Sequence, residues 1–147
     1  MARAVELAAE AAASGEAPIG AVIVDPVTDE VIAEGANCPI AQHDPTAHAE
    51  IVALREAATR LGNYRLTGLS MYVSLEPCTM CAGAISHARI GRLVVGAADE
   101  KGGAVINGPR FFDSPSCHWS PKVESGLMAS EASELLKSFF RERRKRT

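Results

Sequence analysis

No run of about 20 apolar residues occurs in this chain, so no segment reads as a membrane-spanning helix. Residues 1–13 lack the form of a secretory signal. They are Ala-rich and carry Arg3, Glu6 and Glu10 in an amphipathic helical pattern. Cysteine is scarce: there are four in 147 residues, and Cys78 and Cys81 share one C-x-x-C. That leaves no disulfide framework and points to a reducing, cytoplasmic setting, with Cys38 and Cys117 as free thiols. Tryptophan occurs once, as Trp119 in a polar stretch, and reads as a surface or dimer contact rather than a platform for base stacking. Internal repeats, linkers and low-complexity segments are absent as well. The chain reads as a single domain spanning residues 1–147, long enough to bury roughly 68–70% of its unfolded surface.

Two motifs stand out: His48-Ala49-Glu50 and Pro77-Cys78-Thr79-Met80-Cys81. His48, Cys78 and Cys81 supply three metal-ligand side chains. Zinc is tetrahedral, so three protein ligands leave a fourth position for water. A structural zinc site would close that position. Glu50 is then a carboxylate not needed as a ligand, which is what metal-assisted hydrolysis requires. H-x-E followed by P-C-x-x-C is the signature of the zinc nucleobase deaminases. Either half alone means little, since C-x-x-C also occurs in structural zinc sites and redox pairs.

The charges agree with this reading. Two thiolates offset the zinc charge, and the metal still acidifies a water toward pKa ~7. Glu50 takes the water's proton and returns protons to the ring nitrogen and the departing ammonia, acting as both base and acid. Pro77 suits the first turn of a helix, which would place Cys78 and Cys81 at its positive end. Asp44-Pro45 or Thr46 is expected to open the helix carrying His48. Residues two apart diverge in mid-helix, so His48 and Glu50 share a site only near a helix start.

Residues 2–13 predict a helix ended by Ser14-Gly15. Residues 19–24 and 30–36 predict a hairpin turned at 25–29. Residues 46–61 predict a helix with Ile51, Leu54, Ala58 and Leu61 on its apolar face, closed by Gly62-Asn63. A strand over 70–75, a helix over 78–88 and a strand over 93–96 follow. A last strand over 122–125 precedes a helix capped by Ser130, with Glu131 and Glu134 in its first turn. This order predicts a three-layer α/β/α sandwich with a mixed sheet of about five strands. The first pair is antiparallel and the later strands parallel, with helices on both faces. Both motifs then fall at helix starts, at the strand ends where such sheets bind ligands.

The net charge of −3 hides an asymmetry: residues 137–147 carry +5 and the remainder −8. A basic terminal helix on an acidic body suggests a polyanion met at one edge; it is equally a solvated helix end with cations at its negative pole. Phe139 and Phe140 fall at helical spacing with Leu135 and Leu136, which predicts core. Met80 is expected to face the core or a partner subunit. Asn37 reads on its own as a turn residue ahead of Pro39.

Ala17-Pro18-Ile19-Gly20-Ala21-Val22, His43 through Ile51, Asn63-Tyr64-Arg65-Leu66, Tyr72 through Cys78 and Met80 through Ile85 resemble the bacterial tRNA-specific adenosine deaminases, as does the ending Phe139-Phe140-Arg141-x-x-Arg144. The resemblance implies a cytidine-deaminase-like fold, a homodimer, and conversion of adenosine to inosine at the wobble position in a tRNA anticodon loop. It implies His48, Cys78 and Cys81 as ligands of one zinc per chain, and Glu50 as the proton shuttle. It gives Asn37 a hydrogen bond to the flipped base, and makes Ile19, the Ala49 backbone and Pro77 pocket walls. Asp99 and Lys101 match a loop touching flanking nucleotides, and Phe139 and Phe140 match an end that packs near the anticodon strand. The chain departs from the pattern over 104–121, and at Cys38 and Ala98, where members of the family carry basic residues. Two other readings stand beside this one: a deaminase of a free base or nucleoside, of guanine or cytosine type, and a zinc-stabilised binding module without turnover.

Overall fold

A computed structural model describes residues 1–146; Thr147, the last residue of the basic tail, lies outside the described residues. Five strands form one mixed sheet in the order β2-β1-β3-β4-β5. They are β1 (Gly20–Asp25), β2 (Glu30–Ala36), β3 (Ser70–Leu75), β4 (Arg92–Ala97) and β5 (Lys122–Ser125). β1 runs antiparallel to both β2 and β3, while β3, β4 and β5 are parallel. The helices are α1 (Ala2–Ala13), α2 (Pro39–Gln42), α3 (Ala49–Leu61), α4 (Thr79–Ala88) and α5 (Ala129–Arg146). α1 and α5 lie on one face of the sheet, and α3 and α4 on the other. This is the expected three-layer arrangement.

The two faces are packed unequally. Ala21, Ile23, Met71, Val73, Leu93 and Val95 point toward α3 and α4, joining Ala53, Leu54, Ala82 and Ile85 in the main core. Ala4, Leu7 and Val22 make a smaller cluster under α1. A bulge sits in β2: Ile23 pairs with Ala33 and Val24 with Val31, so Ile32 is an extra residue. Through it Ile32 and Ala33 both join the main core.

Several expectations are corrected at element ends. α3 begins at Ala49, not near Thr46, and His48 is its N-cap in an extended conformation. The reason is local. The Asp44 carboxylate accepts the Thr46 amide at 2.9 Å and its hydroxyl at 2.7 Å, and the Ala47 carbonyl accepts Cys38 N–H, so 44–47 forms a turn tied to the neighbouring loop. α4 begins at Thr79 with Cys78 as N-cap, so Pro77 precedes the helix instead of standing in its first turn. α5 starts at Ala129, which puts Ser130 inside the helix rather than at its cap. α2 and a 3₁₀ turn over Phe111–Asp113 went unpredicted.

The buried face of α3 matches the expected one at Ile51 and Leu54 and departs from it further along. Ala49, Glu50, Ile51, Ala53, Leu54 and Ala57 are buried, whereas Ala58 is half-buried and Leu61 exposed. Small residues dominate because the helix lies almost on the backbone of β2. A Cβ at Gly35 would overlap the Ala49 carbonyl oxygen and come within 2.8 Å of the Ala53 nitrogen. Gly35→Ala is therefore expected to lift α3 and cost about 1–3 kcal/mol, read as a lower urea midpoint with unchanged slope.

Candidate active site

His48 and Cys78 are the N-caps of α3 and α4, and Cys81 lies in the first turn of α4. An N-cap is extended while the next residues already turn, so His48 and Glu50 converge although they are two apart. His48 Nδ1 lies 3.6 Å from Cys78 Sγ and 3.6 Å from Cys81 Sγ. Zinc–sulfur and zinc–nitrogen bonds of ~2.3 and ~2.0–2.1 Å at a tetrahedral angle demand a nitrogen–sulfur separation of ~3.6 Å. The three ligand atoms lie within 4.8 Å of one another, and among the described residues no fourth His, Cys, Asp or Glu joins the group. The donor set fits one zinc with a position left open. The nitrogen that faces both sulfurs is Nδ1, a detail that spacing alone does not reveal.

The thiols are electrostatically distinct. Cys78 is lowered to about 5, chiefly by the hydrogen bond from the Cys81 thiol. Burial opposes the drop, and the Cys81 amide and His48 add to it. Cys81 is pushed up because it gives that hydrogen bond and is buried beside Glu50. Cys78 is thus the readier thiolate of the two, at a positive helix end. Glu50 is almost fully buried, with 3% of its surface exposed. Burial above all pushes its carboxyl up to about 7, its own backbone amide counteracts this, and Cys78 raises it further. A carboxyl poised there can both take and give a proton at neutral pH.

Asn37 follows β2 and is buried. Its amide donates to the Ile19 carbonyl at 3.0 Å, and the next residue, Cys38, bonds to Ala47, the neighbour of His48. Among the described residues, Asn37 Oδ1 is the buried side-chain polar atom that lacks a hydrogen-bond partner. Such an orphan costs about 1–3 kcal/mol unless a ligand satisfies it. This is not the signature of a plain turn residue. Ala49 and Pro77 are buried and Ile19 is half-buried against the main core. A second buried carboxylate, Glu16, accepts the Ile40 and Ala41 amides at 3.1 and 2.9 Å and so caps α2 beside Asn37. Sequence reasoning missed it; a Glu just before Ala17-Pro18 was its only trace.

Asp99 and Lys101 lie on the loop after β4. Asp99 is half-buried and accepts the Lys101 and Gly102 amides, while the Lys101 side chain is exposed. Phe139 and Phe140 are not core: Phe139 is half-buried and Phe140 45% exposed. Their rings meet edge to face at 5.3 Å, and the Arg143 guanidinium lies over Phe139 and donates to the Gly15 carbonyl. Met80 is exposed, so it does not face the core. Trp119 is held within the chain: Nε1 donates to the Ile90 carbonyl at 2.9 Å, and Arg89 lies over the ring. His43 caps the end of α2, and His118 is exposed in a loop. Glu76 is also buried. Burial works to raise its pKa, but hydrogen bonds from Asn107, Asp99 and Val105 outweigh it and hold the carboxyl below its usual value.

An open α/β sheet whose helix starts carry a His-Cys-Cys metal cradle and a buried glutamate defines a zinc-dependent deaminase. Residues 1–97 match the family described as the cytidine and deoxycytidylate deaminase zinc-binding region. The chain is 53% identical over 141 residues to a tRNA-specific adenosine deaminase of Haemophilus influenzae, covering 96% of this chain and 81% of that one. It is 56% identical over 129 residues to the same-named protein of Agrobacterium fabrum, covering 88% and 84%. A solved structure of a tRNA:A34 deaminase, described as acting in A-to-I editing at the wobble position, superposes with a TM-score of 0.88 at 53% identity, covering 90% of this chain and 95% of that one. A guanine deaminase of Bacillus subtilis superposes with a TM-score of 0.64 at 34% identity, covering 97% and 90%. The chain belongs to the tRNA-specific adenosine deaminase family within the zinc deaminases.

His48→Ala and Cys81→Ala are each expected to lower bound zinc well below one ion per chain, read by elemental analysis after gel filtration. Chelating the metal from the unsubstituted protein is expected to lower its melting temperature, because metal that binds only the folded state stabilises it.

Proposed function

We propose that this chain converts adenosine to inosine at the wobble position of a tRNA anticodon by zinc-dependent hydrolysis. The observation that carries the reading is the buried Glu50 carboxylate beside a three-point metal cradle. His48 Nδ1, Cys78 and Cys81 would hold the zinc, which would supply a water acidified enough to attack. Glu50 accepts the water's proton and delivers protons to the ring N1 and to the leaving amine. The C6–N bond breaks, a C6–O bond forms, and ammonia departs. Asn37 Oδ1, unpartnered and buried, accepts a hydrogen bond from an edge of the flipped base. Ile19, Ala49 and Pro77 wall the pocket and keep bulk water out.

The relatives named for tRNA support the substrate. So does the end of α5, where Arg143, Arg144, Lys145 and Arg146 share the last turn. Asp99 and Lys101, on an exposed loop, and Phe139 and Phe140, at the α1–α5 edge, are assigned to the nucleotides flanking the flipped base. The chain acts as one deaminase domain with a basic terminal helix, in the cytoplasm. It pairs with a second copy. No helix among the described residues is long and apolar enough to cross a membrane.

The deciding experiment offers zinc-loaded protein a short RNA hairpin with adenosine at the wobble position of a seven-base loop. Free adenosine, guanine and cytosine run in parallel. Inosine in the hairpin is the expected result. Turnover of guanine alone would replace the proposal with the activity named for the Bacillus subtilis relative. Glu50→Gln is expected to keep zinc and lose about 10²–10⁴-fold in rate. Removing residues 141–147 is expected to raise KM for the hairpin and flatten its salt dependence with little change in kcat.

A further inference from the structure

Five N–H groups converge on the carboxylate of Glu76. Its Oε2 accepts the amides of Val105, Ile106 and Asn107 at 3.1, 2.9 and 2.9 Å. Its Oε1 accepts the Asp99 amide at 3.0 Å and the Asn107 side-chain amide at 2.8 Å. Residues 98–107 form neither helix nor strand, so their amides have no ladder to join. The loop is folded around one side chain instead. Gly103 passes so close that a Cβ would strike the Glu76 carboxyl and the Asp99 carbonyl. The segment bearing Glu76 is itself fastened. Its amide donates to Ala97 at 2.8 Å, and the carbonyl of Pro77 accepts Ala104 N–H at 2.9 Å. Cys78 follows directly. Glu76 lies outside the metal cradle and has no part in the proton transfers.

We infer that Glu76 is a positioning residue, whose carboxylate holds the 98–107 loop so that Asp99 and Lys101 stand ready for the RNA flanking the flipped base. The inference rests on the tRNA reading above. A carboxylate suits the task because it is acceptor-only: Oε1 takes two donors, and the full charge lets Oε2 share its lone pairs among three amides. A glutamine of the same shape turns an NH₂ toward two or three of them and leaves those amides unsatisfied. The loop then loses its register while the metal ligands keep theirs. Because Lys101 acts through a loop that Glu76 holds, the two side chains contribute as a unit.

Three measurements test this. In Glu76→Gln, amide exchange at Val105, Ile106 and Asn107 is expected to speed up at least tenfold, while amides of β3 keep their protection. On the hairpin, KM is expected to rise about tenfold with kcat within a factor of two and zinc retained, the pattern of a lost binding contact. Lys101→Ala is expected to raise KM in the native background and to add little in the Glu76→Gln background. Asn107→Ala, which removes one donor and spares the carboxylate, is expected to give a smaller KM effect of the same kind. It serves as the test if Glu76→Gln does not fold. Unchanged exchange at 105–107, additive effects of the two substitutions, or a fall in kcat or zinc at constant KM would each overturn the inference. Absence of inosine from the native protein would instead sink the tRNA reading, and the exchange measurement alone would then decide whether Glu76 carries the loop.

Discussion

His48 and Cys78 are 30 residues apart in the chain, yet their ligand atoms stand 3.6 Å from one another. Everything else in the molecule serves that closeness. Each residue is the N-cap of a helix on the same face of the sheet, so each is extended where it must reach and followed at once by a turn. The approach is possible because α3 presents Ala49, Ala53 and Ala57 to a β2 that carries Gly35 at the crossing point. A bulkier pair would lift the helix and with it the imidazole and the carboxylate. The helix ends add their own field: the positive poles of α3 and α4 both face the sulfurs, which favours thiolates and therefore metal.

Buried carboxylates do three different jobs within this one fold. Glu50 is buried with few hydrogen bonds, so its proton is held more tightly than on an exposed glutamate and exchanges near neutral pH. Glu76 is buried among five N–H donors, which hold it ionised and make it a fixed anchor for a loop. Glu16 ties down α2, and through α2 the stretch that holds Asn37. The residue type is the same in each case. The number of donors aimed at it separates a proton carrier from a structural anion.

Much of the architecture was legible because it rests on local chemistry. The β-hairpin followed from two apolar runs around Asp25-Pro26, and the end of α3 from Gly62, which takes the left-handed conformation there. The helix starts were misjudged. Thr46 and Pro77 look like first-turn residues, but the local Asp44–Thr46 turn and the longer-range Cys38–Ala47, Glu76–Ala97 and Ala104–Pro77 hydrogen bonds hold those segments out of the helices. Phe139 and Phe140 read as core by their spacing, but they sit at the edge where α5 runs past α1, which leaves Phe139 half-buried and Phe140 exposed.

By itself the sequence determined the metal, the spare carboxylate and the alternation of strands and helices. Ligand types, charge and periodicity are properties of short segments, and need no knowledge of what lies across the fold. The tertiary structure alone decided that Nδ1 faces the sulfurs, that Asn37 has a buried oxygen without a partner, and that Glu76 carries a loop 23 to 31 residues away. Those are facts about which groups lack water and which donors reach them. They exist only once the chain has closed on itself and the competing solvent is gone.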